Sequence, residues 1–222
     1  MMRALVTKTL FVLSILLSAQ ALAFESGGFR YTVIGVSNNV EVNGRASDNI
    51  DTNIVIPATA SDGTRTHSVT SIGFTAFSES FLESVIIPDS VTRIWDAAFR
   101  DNNLTSVVIP NSVTIVSYEA FASNILTSVI IPDSVITIGD GAFAENALTS
   151  AAFEVDFGLF SLDMFFFNDD LATITYCDAR TGWPQGFTNG STTIVTEPVN
   201  CSIDGDGDGS ADVDDNCSFM LS

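Results

Sequence analysis

The sequence predicts a β-rich solenoid, a stack of short parallel strands with one strand contributed by each repeat of about 22 residues. Three observations carry that prediction. The stretch 82–147 is the same text written three times: LESVIIPDSVTRIWDAAF, LTSVVIPNSVTIVSYEAF and LTSVIIPDSVITIGDGAF. Pro88, Pro110 and Pro132 stand 22 residues apart, as do Phe77, Phe99, Phe121 and Phe143. A unit this short cannot bury an apolar face alone, so it has to stack on its neighbours.

Each repeat divides into two halves. Leu104-Thr105-Ser106-Val107-Val108-Ile109-Pro110 is β-branched and reads as a strand. Leu104, Val107 and Ile109 point inward, while Ser106 and Val108 are left on the outer, concave side. Pro110 closes the strand because it offers no N–H to a ladder. The second half, Ser112 to Phe121, returns along the opposite side and adds Val113, Val116, Ala120 and Phe121 to the interior. Asn102, Asn124 and Asn146 form one column, two residues before each leading Leu, and are expected to satisfy backbone groups at the turn.

Weaker copies flank these repeats. Ile54-Val55-Ile56-Pro57 matches the strand, and Ser68 to Gly73 leads into Ala76-Phe77 after an insertion at Ser61 to His67. Downstream, Leu148-Thr149-Ser150 opens a decayed copy in which Phe165-Phe166 replaces Ala-Phe, and Leu171 to Tyr176 reads as a final strand. Terminal units have to cover an otherwise open apolar end. The expected organisation is therefore a leader at 1–23, an N-terminal β cap at 24–53, the repeats at 54–176, a C-terminal cap at 177–201 and an acidic tail at 202–222.

The leader has the form of an export signal. Arg3 and Lys8 precede the apolar run Leu10 to Leu17, and Ala21-Leu22-Ala23 is a small-residue cleavage site. That run is shorter than the roughly 20 residues a membrane-spanning helix needs, so no membrane insertion is expected once it is removed. The chain carries 8 basic and 27 acidic residues, a net charge of −19, and loss of the leader leaves 6 against 27, or −21. Such acidity argues against nucleic acid and anionic membranes as partners. Export permits disulfides, and of Cys177, Cys201 and Cys217 the preferred pair is Cys177 with Cys201, which would close the C-terminal cap.

The repeat resembles the BspA-like, treponemal-type leucine-rich repeats of bacterial surface proteins, whose pattern runs L-x-x-I-x-I-P-x-S-V-x-x-I-G-x-x-A-F. The likeness covers Ile54 to about Tyr176. It implies a curved solenoid with a parallel sheet on its concave face, used in adhesion or protein recognition. The pattern's Gly survives as Gly73 and Gly139 but is Trp95 and Ser117 in the middle repeats. A bulky residue there implies a backbone that does not need φ > 0, and Trp95 is expected to fill space between turns rather than to contact a partner.

The tail carries a second signal. Counting Asp204 as the first position, carboxylates fall at 1, 3, 5, 9 and 12: Asp204, Asp206, Asp208, Asp212 and Asp215. Gly209 occupies the turn and Ser210 can offer its carbonyl, so hard oxygen ligands converge as calcium requires. Asp215-Asn216-Cys217 is similar to the end of a thrombospondin type 3 motif, which implies calcium as the ion. The chain stops at Ser222 without the further motifs of that family, as a truncated product of a longer surface protein would.

Little speaks for catalysis. His67 is the only histidine, and as part of an insertion it reads as an exposed loop residue rather than a general base. No zinc cluster, phosphate loop or nucleophile elbow is present. The expected function is a secreted or cell-surface recognition module that binds a protein or surface ligand through the column Ser84/Ile86, Ser106/Val108, Ser128/Ile130. The alternatives are a calcium-rigidified spacer and a carbohydrate-binding module.

Overall fold

A computed structural model describes residues 22–154, 162–177, 187–189 and 192–199. The chain enters as an antiparallel meander of β1 (Ala23–Ser26), β2 (Phe29–Val33) and β3 (Asn39–Arg45). Next come β4 (Asn53–Val55), β5 (Thr59–Ser61) and β6 (Thr66–Ile72). β6 pairs antiparallel with β5 and parallel with β3, which is where the meander hands over to the repeats.

Every repeat was expected to give one strand, and this is corrected: first and second halves build separate parallel ladders. The first halves supply β4, β7 (Ser84–Ile86), β10 (Ser128–Ile131), β12 (Ser150–Phe153) and β13 (Thr173–Cys177). The second halves supply β8 (Arg93–Ile94), β9 (Ile115–Val116) and β11 (Thr137–Ile138), which extend the sheet begun by β3 and β6. These strands are two residues long, yet they stack in register, Ile72 beside Ile94, Ile94 beside Val116 and Val116 beside Ile138. The serine that opens each second half holds them together. Ser90, Ser112 and Ser134 each donate Oγ–H to a carbonyl of the preceding repeat, at 2.7, 2.7 and 2.9 Å.

The first-half ladder is not continuous. β4 pairs only with β7, and β10 begins a separate sheet with β12 and β13. Leu104–Pro110, read as a strand from its β-branched residues, lies between them without strand pairing, and Val107 is only half-buried where Val85 and Val129 are buried. The parallel ladder also runs past Tyr176. β14 (Phe187–Asn189) and β15 (Thr192–Val199) form a hairpin, and β15 pairs parallel with β13, Thr173 beside Val195. The only helix among the described residues is a 3-10 turn at Leu162–Phe165, and none is long and apolar enough to cross a membrane.

One apolar cluster runs from Phe29 to Tyr176. Its spine is a column of phenylalanines: Phe77, Phe99, Phe121 and Phe143 stack with ring centroids 5.4, 5.2 and 5.5 Å apart and planes within 9° of parallel. Phe165 follows at 6.1 Å. The decayed copy therefore places Met164-Phe165 where Ala-Phe stands in the others, and Phe166, expected inside, is exposed.

Beside the rings runs the asparagine column, and it extends to a fourth member, Asn168. Asn124 is typical. Its Nδ2 donates to Phe99 O at 2.9 Å in the preceding repeat and to Phe121 O at 3.1 Å in its own, and its Oδ1 accepts from Leu104 N–H at 3.0 Å. Asn102, Asn146 and Asn168 repeat the pattern. Each amide thus joins two repeats through groups that the tight turn leaves without sheet partners.

The turns around this column are left-handed at two places per repeat. Thr75, Ala97, Glu119 and Gly141 have φ of 48°, 53°, 51° and 66°, and Glu79, Asp101, Ser123, Glu145 and Phe167 have φ of 52° to 58°. Gly73, Trp95, Ser117 and Gly139 do not, which agrees with the expectation drawn from Trp95. At Gly139 it is space that matters: a Cβ there would run into the Tyr118 backbone of the preceding repeat.

Candidate functional site

The residues singled out from the sequence come together on the outer face of the first halves. Strand alternation turns Val85, Ile87, Ile109, Val129 and Ile131 into the core and leaves their neighbours outside. The register places Ser84 beside Asn53 and Ile86 beside Val55, then Ser128 beside Ser150 and Ile130 beside Ala152. Val55 and Ile86 are each 60% exposed, Val108 is 80% exposed and Ile130 is 37% exposed. Val55 and Ile86 stand side by side, and exposed branched apolar side chains recur at the equivalent positions of the next two repeats, Val108 in the unpaired segment and Ile130 in β10, with Ser84, Ser106 and Ser128 two residues earlier in each. The polar positions are partly self-satisfied at their start, where Ser84 Oγ donates to Asn53 Oδ1 at 2.6 Å and Asn53 Nδ2 reaches Glu83 Oε2 at 3.4 Å.

Sequence reasoning stopped this series at Ile86, and the structure continues it to Val55, whose Ile-Val-Ile-Pro context was already legible. Phe81 was also missed. It is 72% exposed immediately before the buried Leu82, with φ of 56°, a conformation that is strained for a bulky residue.

His67 corrects another expectation. It was placed in an exposed loop, but the insertion is the β5–β6 hairpin and His67 is buried within β6. Its ring packs 5.5 Å from Phe24, its Nε2 lies 2.9 Å from Asp62 Oδ2, and its Nδ1 has no partner. Asp62 also accepts at 2.7 Å from Thr64 N–H, Thr64 Oγ–H and Arg65 N–H. The His67 hydrogen bond, followed by those from Thr64 and Arg65, holds this carboxyl well below the usual range. The pair closes a hairpin turn.

Cys177 ends β13, but its side chain, Cys201 and Cys217 lie outside the described residues, as do Asp204, Asp206, Asp208, Ser210, Asp212 and Asp215. Among the described residues, no group of three or more His, Cys, Asp or Glu is placed to hold a metal.

With this geometry in view, comparison with known proteins is decisive. The BspA type leucine rich repeat region matches residues 70–193 in 6 copies, more than half of the chain. The chain belongs to the BspA-type leucine-rich repeat family. No curated protein matches it significantly. Among solved structures, the pneumococcal vaccine antigen PcpA is similar at 19% identity and a TM-score of 0.51, over 70% of this chain and 41% of that one. The T. pallidum leucine rich repeat protein is similar at 18% identity and a TM-score of 0.50, over 69% of this chain and 85% of that one. A leucine-rich repeat protein from Bacteroides capillosus is 23% identical, over 60% of this chain and 98% of that one, with a TM-score of 0.49. At these identities the likeness to PcpA and to the T. pallidum protein speaks for the fold alone: a strand-rich repeat stack with parallel sheets.

Proposed function

We propose that this chain is a secreted or cell-surface recognition module. In this reading its repeats close into a solenoid capped at both ends, and the first-half face binds a protein or a surface ligand without catalysis. The observation that carries the reading is that Val55, Ile86, Val108 and Ile130, at equivalent positions of successive repeats, are all exposed, Val55 directly beside Ile86. Contiguous apolar surface of this kind is rare on a protein with nothing to bind. The family supports it, since similar structures include one described as a vaccine antigen. The leader at 1–23 supports export, and the carboxylate spacing of Asp204 to Asp215 supports calcium in the tail, which calorimetric titration with calcium would test.

Introducing a charge is the direct test of the face. Val108 and Ile86 are largely in water already, so Asp at either position should change stability by less than about 0.5 kcal/mol. Ile86→Asp and Val108→Asp should each abolish binding to intact cells and to extracellular-matrix proteins while the circular dichroism spectrum is kept. Binding that persists at wild-type strength in both variants would remove this face from the account.

A further inference from the structure

The opposite side of the stack carries a feature that the recognition face does not use. On the outer surface of the sheet formed by β3, β6, β8, β9 and β11, one row reads Glu41, Ser71, Arg93, Ile115, Thr137. The next begins at Gly73 and continues through Trp95, Ser117 and Gly139, fixed by backbone bonds from Gly73, Trp95, Ser117 and Gly139 to the preceding strands at 2.8 to 3.0 Å. Gly73 is the low point between β3 and Trp95. A Cβ there would lie 2.9 Å from Glu41 Oε1 and 2.7 Å from Asn43 Nδ2. Next to Gly73 in sequence, Phe74 joins Glu41, Trp95 and Asp96 in lining an open cavity of about 260 Å³.

The lining is chemically one-sided. Two aromatic and two acidic residues line one space, and no basic residue does. Glu41 is held in place from the protein side: Oε1 accepts from Asn43 Nδ2 at 2.9 Å and Oε2 from Ser71 Oγ at 3.3 Å. Both are neutral donors, so its charge is not cancelled. Arg93 stands in the same row as Glu41 but two strands along, and is exposed. The ion pairs among the described residues join His67 to Asp62 and Arg100 to Asp101 and Glu119, and none involves Arg93, Glu41 or Asp96. Phe74 is 69% exposed although it flanks the buried interior. A Trp face beside uncompensated carboxylates selects a cation with an apolar skin, since the ring quadrupole and the carboxylates attract the charge while the rings cover the carbon atoms. The volume falls below the roughly 300–1,000 Å³ of sites that enclose drug-sized ligands, so it suits a head group.

We infer that Trp95, Phe74, Glu41 and Asp96 form a binding site for an alkylammonium group, on a face separate from the recognition surface. The group could be a small organic ammonium ion or the side chain of a lysine, and the same chemistry serves both. The repeat itself supplies a variant that keeps the fold, because Ser117 occupies the Trp95 position in the next repeat.

The test is an NMR titration of the full chain, following the Trp95 indole N–H and the Gly73 amide. Tetramethylammonium chloride and Nα-acetyl-lysine methylamide are the two ligand arms. Sodium chloride at equal ionic strength and neopentyl alcohol, a neutral isostere, are the controls. A saturable shift of both signals with either ammonium probe and with neither control is expected, and the tighter probe identifies the source. Trp95→Ser should weaken binding by about two- to thirtyfold, the span of a cation–π contact from exposed to desolvated, and Glu41→Gln should weaken it in the same direction. No saturable shift with either probe, an equal shift with sodium chloride or neopentyl alcohol, or unchanged affinity in Trp95→Ser would overturn the site.

Discussion

Replacing Asn124 with Leu tests the joint between repeats. Asn124 is buried and makes four hydrogen bonds, to Leu104 N–H, Phe99 O, Phe121 O and Ala122 O. The four losses are unequal. Phe99 O keeps Asn102 Nδ2 at 2.9 Å, Phe121 O keeps Asn146 Nδ2 at 3.0 Å, and Ala122 O keeps Asp101 N–H at 3.1 Å. Leu104 N–H keeps nothing else. One orphaned buried donor costs about 1–3 kcal/mol, and the three shared carbonyls lose about 0.5–1.5 kcal/mol each. The expected loss is therefore about 2.5–7.5 kcal/mol, a large part of the 5–15 kcal/mol typical of a folded domain. Urea unfolding followed by circular dichroism measures it, with the exposed Asn103→Leu as a control that should stay within about 0.5 kcal/mol. A loss below 1 kcal/mol for Asn124→Leu would refute the reasoning, because the amide would then not be the bridge that the geometry describes.

Tyr31 and Asp62 carry two further predictions. Tyr31 is fully buried, its hydroxyl has no partner, and burial pushes its phenol up to about 12. Tyr31→Phe should therefore stabilise the chain by about 1–2 kcal/mol at neutral pH, and a destabilised variant would mean that the hydroxyl is satisfied after all. The same raised value means that the native state holds this proton, so its contribution is present below pH ~10 and is lost as pH rises through about 12. Asp62 has the opposite sign. Its depressed value gives stability that is present above the ordinary carboxylate range near pH ~4 and is lost as pH falls below it. Melting temperatures measured between neutral and acid pH should fall less steeply in Asp62→Asn than in the wild type, and parallel curves would exclude the hairpin carboxylate as an acid-sensitive group.

The parts of the fold written repeatedly in the sequence were the legible ones. Phe99, Phe121 and Phe143, and Asn102, Asn124 and Asn146, recur at a fixed interval, and identical environments stacked on one another demand identical residues. The same count carried one step further lands on Phe165 and Asn168, where surrounding drift had hidden the register behind the neighbouring Phe166. The second ladder was hidden for a different reason. Two-residue strands such as Arg93–Ile94 are too short to show an alternation and exist only because the repeats above and below supply their partners. His67 stands in phase with the buried Val69, so alternation along β6 would have placed it inside had the insertion been read as a hairpin. The lapse of pairing at Leu104–Pro110 follows from nothing in that repeat's own text, which is nearly that of its neighbours. The Trp95 cavity needs Glu41, which comes from the non-repetitive meander and meets the repeats only through the parallel pairing of β3 with β6.

The account rests on successive repeats lying one strand apart along a single stack. Spin labels at Asn53 and Val195, both exposed, occupy equivalent positions six repeat spacings apart, counting the unpaired Leu104–Pro110 segment as one layer, and pulsed electron resonance between labels introduced without cysteine chemistry reads that separation. Six spacings of ~4.8 Å predict a single narrow distribution centred at about 29 Å, widened by the label arms. A broad distribution, or one centred well beyond about 45 Å where chains no longer follow strand spacing, would contradict it.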